Sequence, residues 1–360
     1  MDLAFDKKRI IKGCRLFVLL SVLGFAIIFS FTVTHESLRA LQSLKTGFLI
    51  LALVLALVDL FLGGLRIYIF FTKEILKKVS LIDCIKANLA NVFVSAMTPS
   101  NTGGGPGQLY ILNRRGVPLS GAISVSVINF FSFLLFFLCA FILVFFFTKE
   151  GIFARGVAYL VRYSFLTFAL ICLTALFFLI RPDSLGSLFR LLSKITAFVY
   201  RKDKGKQKRV TEKLKDQVVQ SRFYLQHFFH KEKPTLFLSF ILTVLAYFNK
   251  YLTAYVILRG LGLRADFMHV IYLQIIQFFI LYFSPTPGAS GIAEVSSVSL
   301  MSTIIPKGYL PIFAILWRFF TNYVGVSLGG WVTLKDVNQH FKEKQMQLKK
   351  VPEEPQLAGS

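Results

Sequence analysis

Acidic residues, cysteines and histidines are scarce in this 360-residue chain, and each shortage argues against a class of function. The four cysteines, Cys14, Cys84, Cys139 and Cys172, show no C-x-x-C spacing, so neither a disulfide framework nor a zinc site is expected. The five histidines, His35, His227, His230, His269 and His340, are dispersed and are expected at solvent or interface positions. No metal and no cofactor is expected. A G-x-x-x-x-G-K-(S/T) stretch is absent, which argues against ATP-driven work. Asp and Glu number 18 against 41 Lys and Arg, a formal charge of +23. The basic residues lack the aromatic interleaving of a nucleic-acid platform, so nucleic acid is not an expected partner.

Apolar sequence is plentiful instead. The chain is 55% hydrophobic, with 40 Phe and a mean hydropathy of +0.64. Runs of about 20 apolar residues suffice to cross a bilayer, and six strong spans are predicted at about 16–34, 48–71, 119–147, 160–180, 235–258 and 310–332. Two further apolar segments, about 81–97 and 268–284, each run into a Pro/Gly break. The first span follows "DKKRIIKGCR" like a signal peptide, but its length and the lack of a small-x-small site predict a retained anchor.

Charge decides how the broken segments thread. If both are re-entrant and the N-terminus lies inside, segments 1–15, 72–80, Lys86, Arg114, Arg115, 181–233 and 333–360 place 30 of the 41 basic residues inside and eight outside. The remaining three, Arg66, Lys250 and Arg318, lie within spans. If both cross fully, the split is 19 to 19, against the rule that basic loops stay cytoplasmic. The expected fold is therefore an all-α polytopic membrane domain over residues 1–335, with about six spans and two re-entrant helical hairpins. Both termini would be cytoplasmic. The basic loop 181–233 would face anionic headgroups, each cation contributing about 1 kcal/mol of attraction. Residues 336–360, ending in "VPEEPQLAGS", are expected to be a disordered tail. An oligomer is possible, and the sequence leaves its state open.

The first break reads "SAMTPSNTGGGPGQLYIL" (95–112), and a shift of 186 places it on "LYFSPTPGASGIAEVSSV" (281–298). Pro99 then meets Pro285, Gly105 meets Gly291 and Gln108 meets Glu294, while 48–71 falls on 235–258 and 119–147 on 310–332. With the threading above, the units at about 48–147 and 234–333 have opposite orientation. Inverted repeats with paired broken segments point to a transporter site near the midplane, because irregular backbone at that depth must be buried in protein or line a wet cavity. Gly103, Gly104, Gly105, Pro285, Pro287, Gly288 and Gly291 would shape the breaks, with Asn101 and Gln108 beside the first. Gly105 is expected to cap the next helix with Pro106 at its first position, leaving free N–H groups for an anion.

Ionisable residues inside spans are functional candidates by default. Asp59 and Arg66 lie two turns apart on one face, and Lys250 sits in the repeat-related span. Arg66 and Lys250 could hand an anionic headgroup from one leaflet half to the other, or Asp59 and Arg66 could form a structural pair. Arg318, with Asn322 one turn on, is a third cation, or the partner of Glu294. Glu294 follows Gly291 by three residues, where a cap, a coupling site or an ion pair are all open. Asn91, Asn129 and Gln277 are expected to bond between helices.

Together "TPSNTGGGPGQLYILNRRG", "SPTPGASGIAE" and "LWRFFTNYVG" resemble the flippase-like family, also called the lysylphosphatidylglycerol synthase transmembrane family. The family includes the flippase half of the multiple peptide resistance factor. The resemblance covers roughly 10–335, matching Pro287, Gly288, Gly291 and Glu294, the basic pair Arg114 and Arg115, and Arg318. It implies a multi-pass inner-membrane protein of bacteria or archaea that moves lipids or lipid-linked groups between leaflets. Many members carry a Glu-Arg pair after the first hairpin, where this chain reads "SVSVINFF" with Asn129. The second hairpin has Ala289 where glycine is common, and no soluble aminoacyl-transfer domain is expected in the residues after the last span. The expected function is a flippase or scramblase for a phosphate-headgroup lipid, with no catalytic residues. The alternatives are a membrane-embedded transferase on a lipid-linked donor and an ion-coupled transporter of a small anion.

Overall fold

A computed structural model describes residues 7–32, 44–72, 74–98, 103–147 and 204–349, with the isolated positions 37, 42, 166, 170, 173 and 174. The span expected at 160–180 lies almost wholly outside them. So do Pro99 and Asn101. Every regular element among the described residues is helical. Helix α1 (Lys7–Thr32) leads to α2 (Thr46–Phe71), then to the short α3 (Leu81–Ala96) and α4 (Gly104–Arg114), and to α5 (Leu119–Phe147). Beyond lie α6 (Lys204–Lys231), α7 (Lys233–Gly260), the short α8 (Phe267–Tyr282) and α9 (Ile292–Met301), α10 (Leu310–Arg318) and α11 (Val324–Lys349). A π-helical turn, Phe319–Tyr323, joins the last two. Among the described residues, four helical segments are long and apolar enough to span a bilayer: Thr46–Phe71, Leu119–Val144, Lys233–Gly260 and Lys307–His340.

Two short helices recur at the offset of 186 residues. Helices α3 and α8 are both 16 residues long and lie 186 positions apart at each end. Their caps keep the same offset: Ser80 Oγ accepts from Asp83 N at 3.1 Å, and Asp266 Oδ2 accepts from His269 N at 2.8 Å. Such side chains satisfy donors that a helix start leaves free. At 1.5 Å per residue each helix is roughly 24 Å long, short of the bilayer's hydrocarbon thickness.

Contacts fix the directions. The repeat-related α2 and α7 run antiparallel, since Lys45 N donates to Gly260 O at 3.0 Å while Asn249 Nδ2 donates to Leu55 O at 2.9 Å. Helix α3 turns back along α2, with Asn88 Nδ2 on Leu60 O at 3.2 Å, and α4 folds back on α3 through Asn91 and Gln108. Helix α8 runs against α5, where Phe141 meets Phe279 and Phe133 stacks on Tyr282 at 4.1 Å. Helix α9 folds back on α8 through Gln277, which donates to Ala293 O and Ser296 Oγ. The base of the α3–α4 hairpin therefore lies at one end of the bundle, with the start of α7. The base of the α8–α9 hairpin lies at the other end, with Lys45 and Gly260.

The two tips meet inside. A side chain at Gly288 would touch Phe17 and the carbonyl of Ala96, and Ser21 Oγ donates to Ser290 Oγ at 2.9 Å. Helix α1 thus crosses both tips. Each hairpin has its own apolar core: Phe70, Phe71, Ile111 and Phe228 around the first, and Leu258, Phe313 and Trp317 around the second. Lipid tails are as apolar as these side chains, so close packing rather than water exclusion must hold such helices together. Small residues serve this at α11, where Gly329 lies against the Leu89 carbonyl and Gly330 against the Phe93 ring.

Two expectations are corrected. The region from 336 to 349 is helical, because α11 runs on to Lys349 and is held by Arg114, which bonds Asp336 Oδ2 at 2.9 Å and Glu343 Oε2 at 2.8 Å. The cap of α4 is Gly103, not Gly105, so Pro106 falls in the first turn but not at its first position. That turn needs no N–H from Pro106 in either register.

Candidate functional site

Between the first hairpin, α2 and α5 lies a cavity of about 470 Å³. Helix α2 supplies Gly63 and Arg66, α3 supplies Asn88, Asn91 and Ser95, and α4 supplies Gly104, Gly105 and Gln108. Ser126, Asn129, Phe130 and Phe133 of α5 form another wall, and Tyr247 and Tyr282 close it from α7 and α8. At Gly104 a side chain would meet Asn91 Oδ1 and Ser95 Oγ, so the bare glycine lets the start of α4 sit close against α3. A side chain at Gly105 would meet nothing within 4 Å, so this residue opens onto free space at the start of α4.

The wall is polar and mutually bonded. Asn91 Nδ2 donates to Gln108 Oε1 at 3.1 Å, and Gln108 Nε2 donates to Ser126 Oγ at 3.0 Å. Arg66 Nη2 donates to Asn129 O at 3.0 Å, while Asn129 Nδ2 returns a bond to Arg66 O at 3.3 Å. Ser239 Oγ completes Asn129 from α7 at 3.1 Å. Arg66 Nε is buried without a partner among the described residues. A guanidinium held beside a helix start, with no carboxylate in the described lining, is complementary to an oxyanion.

The second half is built differently. Glu294 and Arg318 are 0% and 2% exposed and pair at 2.9 Å through Oε1 and Nε. Glu294 Oε2 accepts from Gly291 N at 2.6 Å, and Arg318 Nη2 donates to Gly288 O at 3.0 Å. Gly291 sits at φ 83°, a conformation open to glycine, and turns its N–H onto the carboxylate. The start of α9 therefore already carries an anion from its own chain. The π turn follows directly after Arg318, a feature frequent at functional sites.

The lysylphosphatidylglycerol synthase TM region family matches residues 15–329. The chain belongs to that family. A UPF0104 membrane protein of Archaeoglobus fulgidus is 23% identical over 312 residues, covering 87% of this chain and 93% of the archaeal protein. The family match takes in both hairpins, the cavity and the Glu294–Arg318 pair, and marks the chain as a multi-pass membrane protein of a prokaryotic family.

Within this synthase-TM family member, the residues expected at the site separate into groups. Arg66, Gly104, Gly105 and Gln108 share the cavity, with Gly103 as the cap of α4. Lys250 bonds Asp59 Oδ2 at 2.6 Å and joins α7 to α2, so Asp59 answers Lys250 rather than Arg66. Pro287, Gly288 and Gly291 form the second tip, after Pro285, and Arg318 binds Glu294 there. Asn322 falls in the π turn, its Oδ1 buried without a partner among the described residues. Arg114 and Arg115 lie at the base of the first hairpin, bound to Asp336 and, from Arg115, to Asp83 at 3.0 Å. Sequence reasoning missed Asn88, Ser95, Ser126, Tyr247 and Tyr282 as lining. The three polar residues recur on the helical spacing of α3 and α5, a stripe that could have flagged a wet face; the tyrosines carried no signal.

Proposed function

We propose that this protein moves a lipid with a phosphate-bearing headgroup between the leaflets of a prokaryotic inner membrane. The reading places six crossing helices and two re-entrant hairpins in the bilayer. The basic end, with Arg114, Arg115 and α6, would be cytoplasmic, as would both termini. One observation carries it: Arg66, a cation at membrane depth, faces a cavity of about 470 Å³ beside the start of α4, with no carboxylate in the described lining. A bare charge there costs about 3 kcal/mol or more, a cost that an arriving phosphate offsets. Phe130 and Tyr282, 50% and 38% exposed, edge the cavity and offer a sideways path on which acyl tails could stay in lipid.

A transferase would need a positioned acid or base; the described lining offers no carboxylate, histidine or cysteine, and its titratable groups besides Arg66 are only the hydroxyls of Tyr247 and Tyr282. The test is leaflet exchange of a fluorescent phospholipid in liposomes carrying the purified protein. Wild type should exchange the probe, and Arg66→Ala should lower the rate at least tenfold while eluting as a folded species. No exchange by wild type, alongside product formation from a lipid-linked donor, would replace this reading by the transferase.

A further inference from the structure

The two hairpins treat the same position in opposite ways. Position 294 carries a carboxylate that bridges the start of its helix to a guanidinium, through Gly291 N at 2.6 Å and Arg318 Nε at 2.9 Å. Its counterpart, 186 residues earlier, is Gln108. Gln108 is isosteric with Glu but neutral, and it is buried at 5% exposure. Its amide is held in place on both sides, by Asn91 and by Ser126. In the second half the pair fills the site. In the first half the helix start and a guanidinium share a cavity that no chain carboxylate enters among the described residues. The guanidinium comes from a different place in the fold: Arg66 sits on α2, whereas Arg318 sits at the end of α10.

We infer that Gln108 sets the charge selectivity of the cavity, and that the ligand's oxyanion takes there the part that the Glu294 carboxylate plays in the other hairpin. Rewriting Gln108 as an acid would give the first half an anion of its own, which would satisfy Arg66 from within and exclude an incoming oxyanion by repulsion. The neutral amide keeps the walls in register through its two hydrogen bonds and leaves the positive charge unanswered. The inference rests on the reading of the cavity as an oxyanion site, and it does not require that the ligand be carried across the membrane. The shared chemistry is a phosphate oxyanion, from a lipid headgroup or from free phosphate.

The test uses full-length protein in detergent, with two probes: inorganic phosphate and dioctanoyl phosphatidylglycerol. Affinity is read from the ligand-dependent rise in unfolding temperature. Gln108→Glu should weaken the binding of whichever probe the wild type binds by at least tenfold, and should raise the unfolding temperature of the ligand-free protein. Should Gln108→Glu not fold, Gly105→Asp, at a lining position whose added Cβ meets nothing within 4 Å, brings a carboxylate to the same cavity and should weaken binding likewise. A wild type that binds the lipid but not free phosphate identifies the headgroup as the source; the reverse identifies free phosphate. Unchanged affinity in a folded acidic variant overturns the inference, even if wild type exchanges lipid and Arg66→Ala does not. Loss of binding in the acidic variants without any leaflet exchange by wild type would keep the inference and remove the proposed transport.

Discussion

At the scale of single residues, Arg66, Lys250 and Arg318 lie within described helices of predicted spans and each is answered differently. Lys250 meets Asp59 and Arg318 meets Glu294, while Arg66 faces the cavity. Removing one partner of a buried pair leaves the other charge exposed to apolar surroundings, at about 3–5 kcal/mol. Glu294→Gln should therefore lower the unfolding temperature sharply, and Glu294→Gln with Arg318→Met should recover part of the loss. A double variant no more stable than the single one would show that the pair is not what holds the second tip. The sequence marks all three cations as unusual for membrane depth, yet it cannot say which are paired. Asp59 and Lys250 stand 191 positions apart, and only the antiparallel packing of α2 on α7 brings them together. The Glu294–Arg318 pair is one of the alternatives open in the sequence, as a lock of the last span onto the second hairpin, and it is the one observed.

At the scale of elements, the short helices were legible because Pro/Gly breaks interrupt apolar runs at the same offset in both halves. Their caps, Ser80 and Asp266, sit at that offset too. Less legible was the stop of the last helix. A charged, tail-like stretch remains helical as Arg114 reaches Asp336 and Glu343 from the first hairpin, a contact across 222 and 229 positions. The Asp336 side chain is 9% exposed and that of Glu343 is 56%. Asp336→Ala should therefore destabilise the hairpin base more than Glu343→Ala, whose solvent-exposed pair is worth about 1 kcal/mol or less. Equal losses in thermal unfolding would contradict that ranking. The contact of α11 with α3 depends on Gly329, where any side chain meets the Leu89 carbonyl. Gly329→Leu should force the helices apart at about 1–3 kcal/mol. Cys84, buried at 0% on α3, reports the change: in a background lacking Cys14, Cys139 and Cys172, its maleimide labelling should accelerate. An unaltered rate would mean that the interface absorbs the side chain.

At the scale of the whole molecule, the helix directions place the bases of the two hairpins at opposite ends of the bundle, and the threading expected from the charge count would place them on opposite sides of a membrane. The first rests on hydrogen bonds and ring contacts with no membrane involved, the second on the distribution of basic residues. The helix directions owe nothing to the stretch 148–203, whereas the charge count depends on the expected span at 160–180 and on the basic residues that flank it. The most direct test is side-specific labelling of single cysteines in a cysteine-free background, in intact cells, with a membrane-impermeant maleimide. Lys78→Cys and Pro118→Cys flank the first hairpin, and Arg264→Cys and Ser302→Cys flank the second; all four positions are exposed. The account predicts that both cysteines of the second hairpin label from outside and that both of the first label only after the cells are opened. Labelling of one cysteine of a hairpin from each side would show a segment passing straight through, and would contradict the arrangement on which the cavity and its proposed function depend.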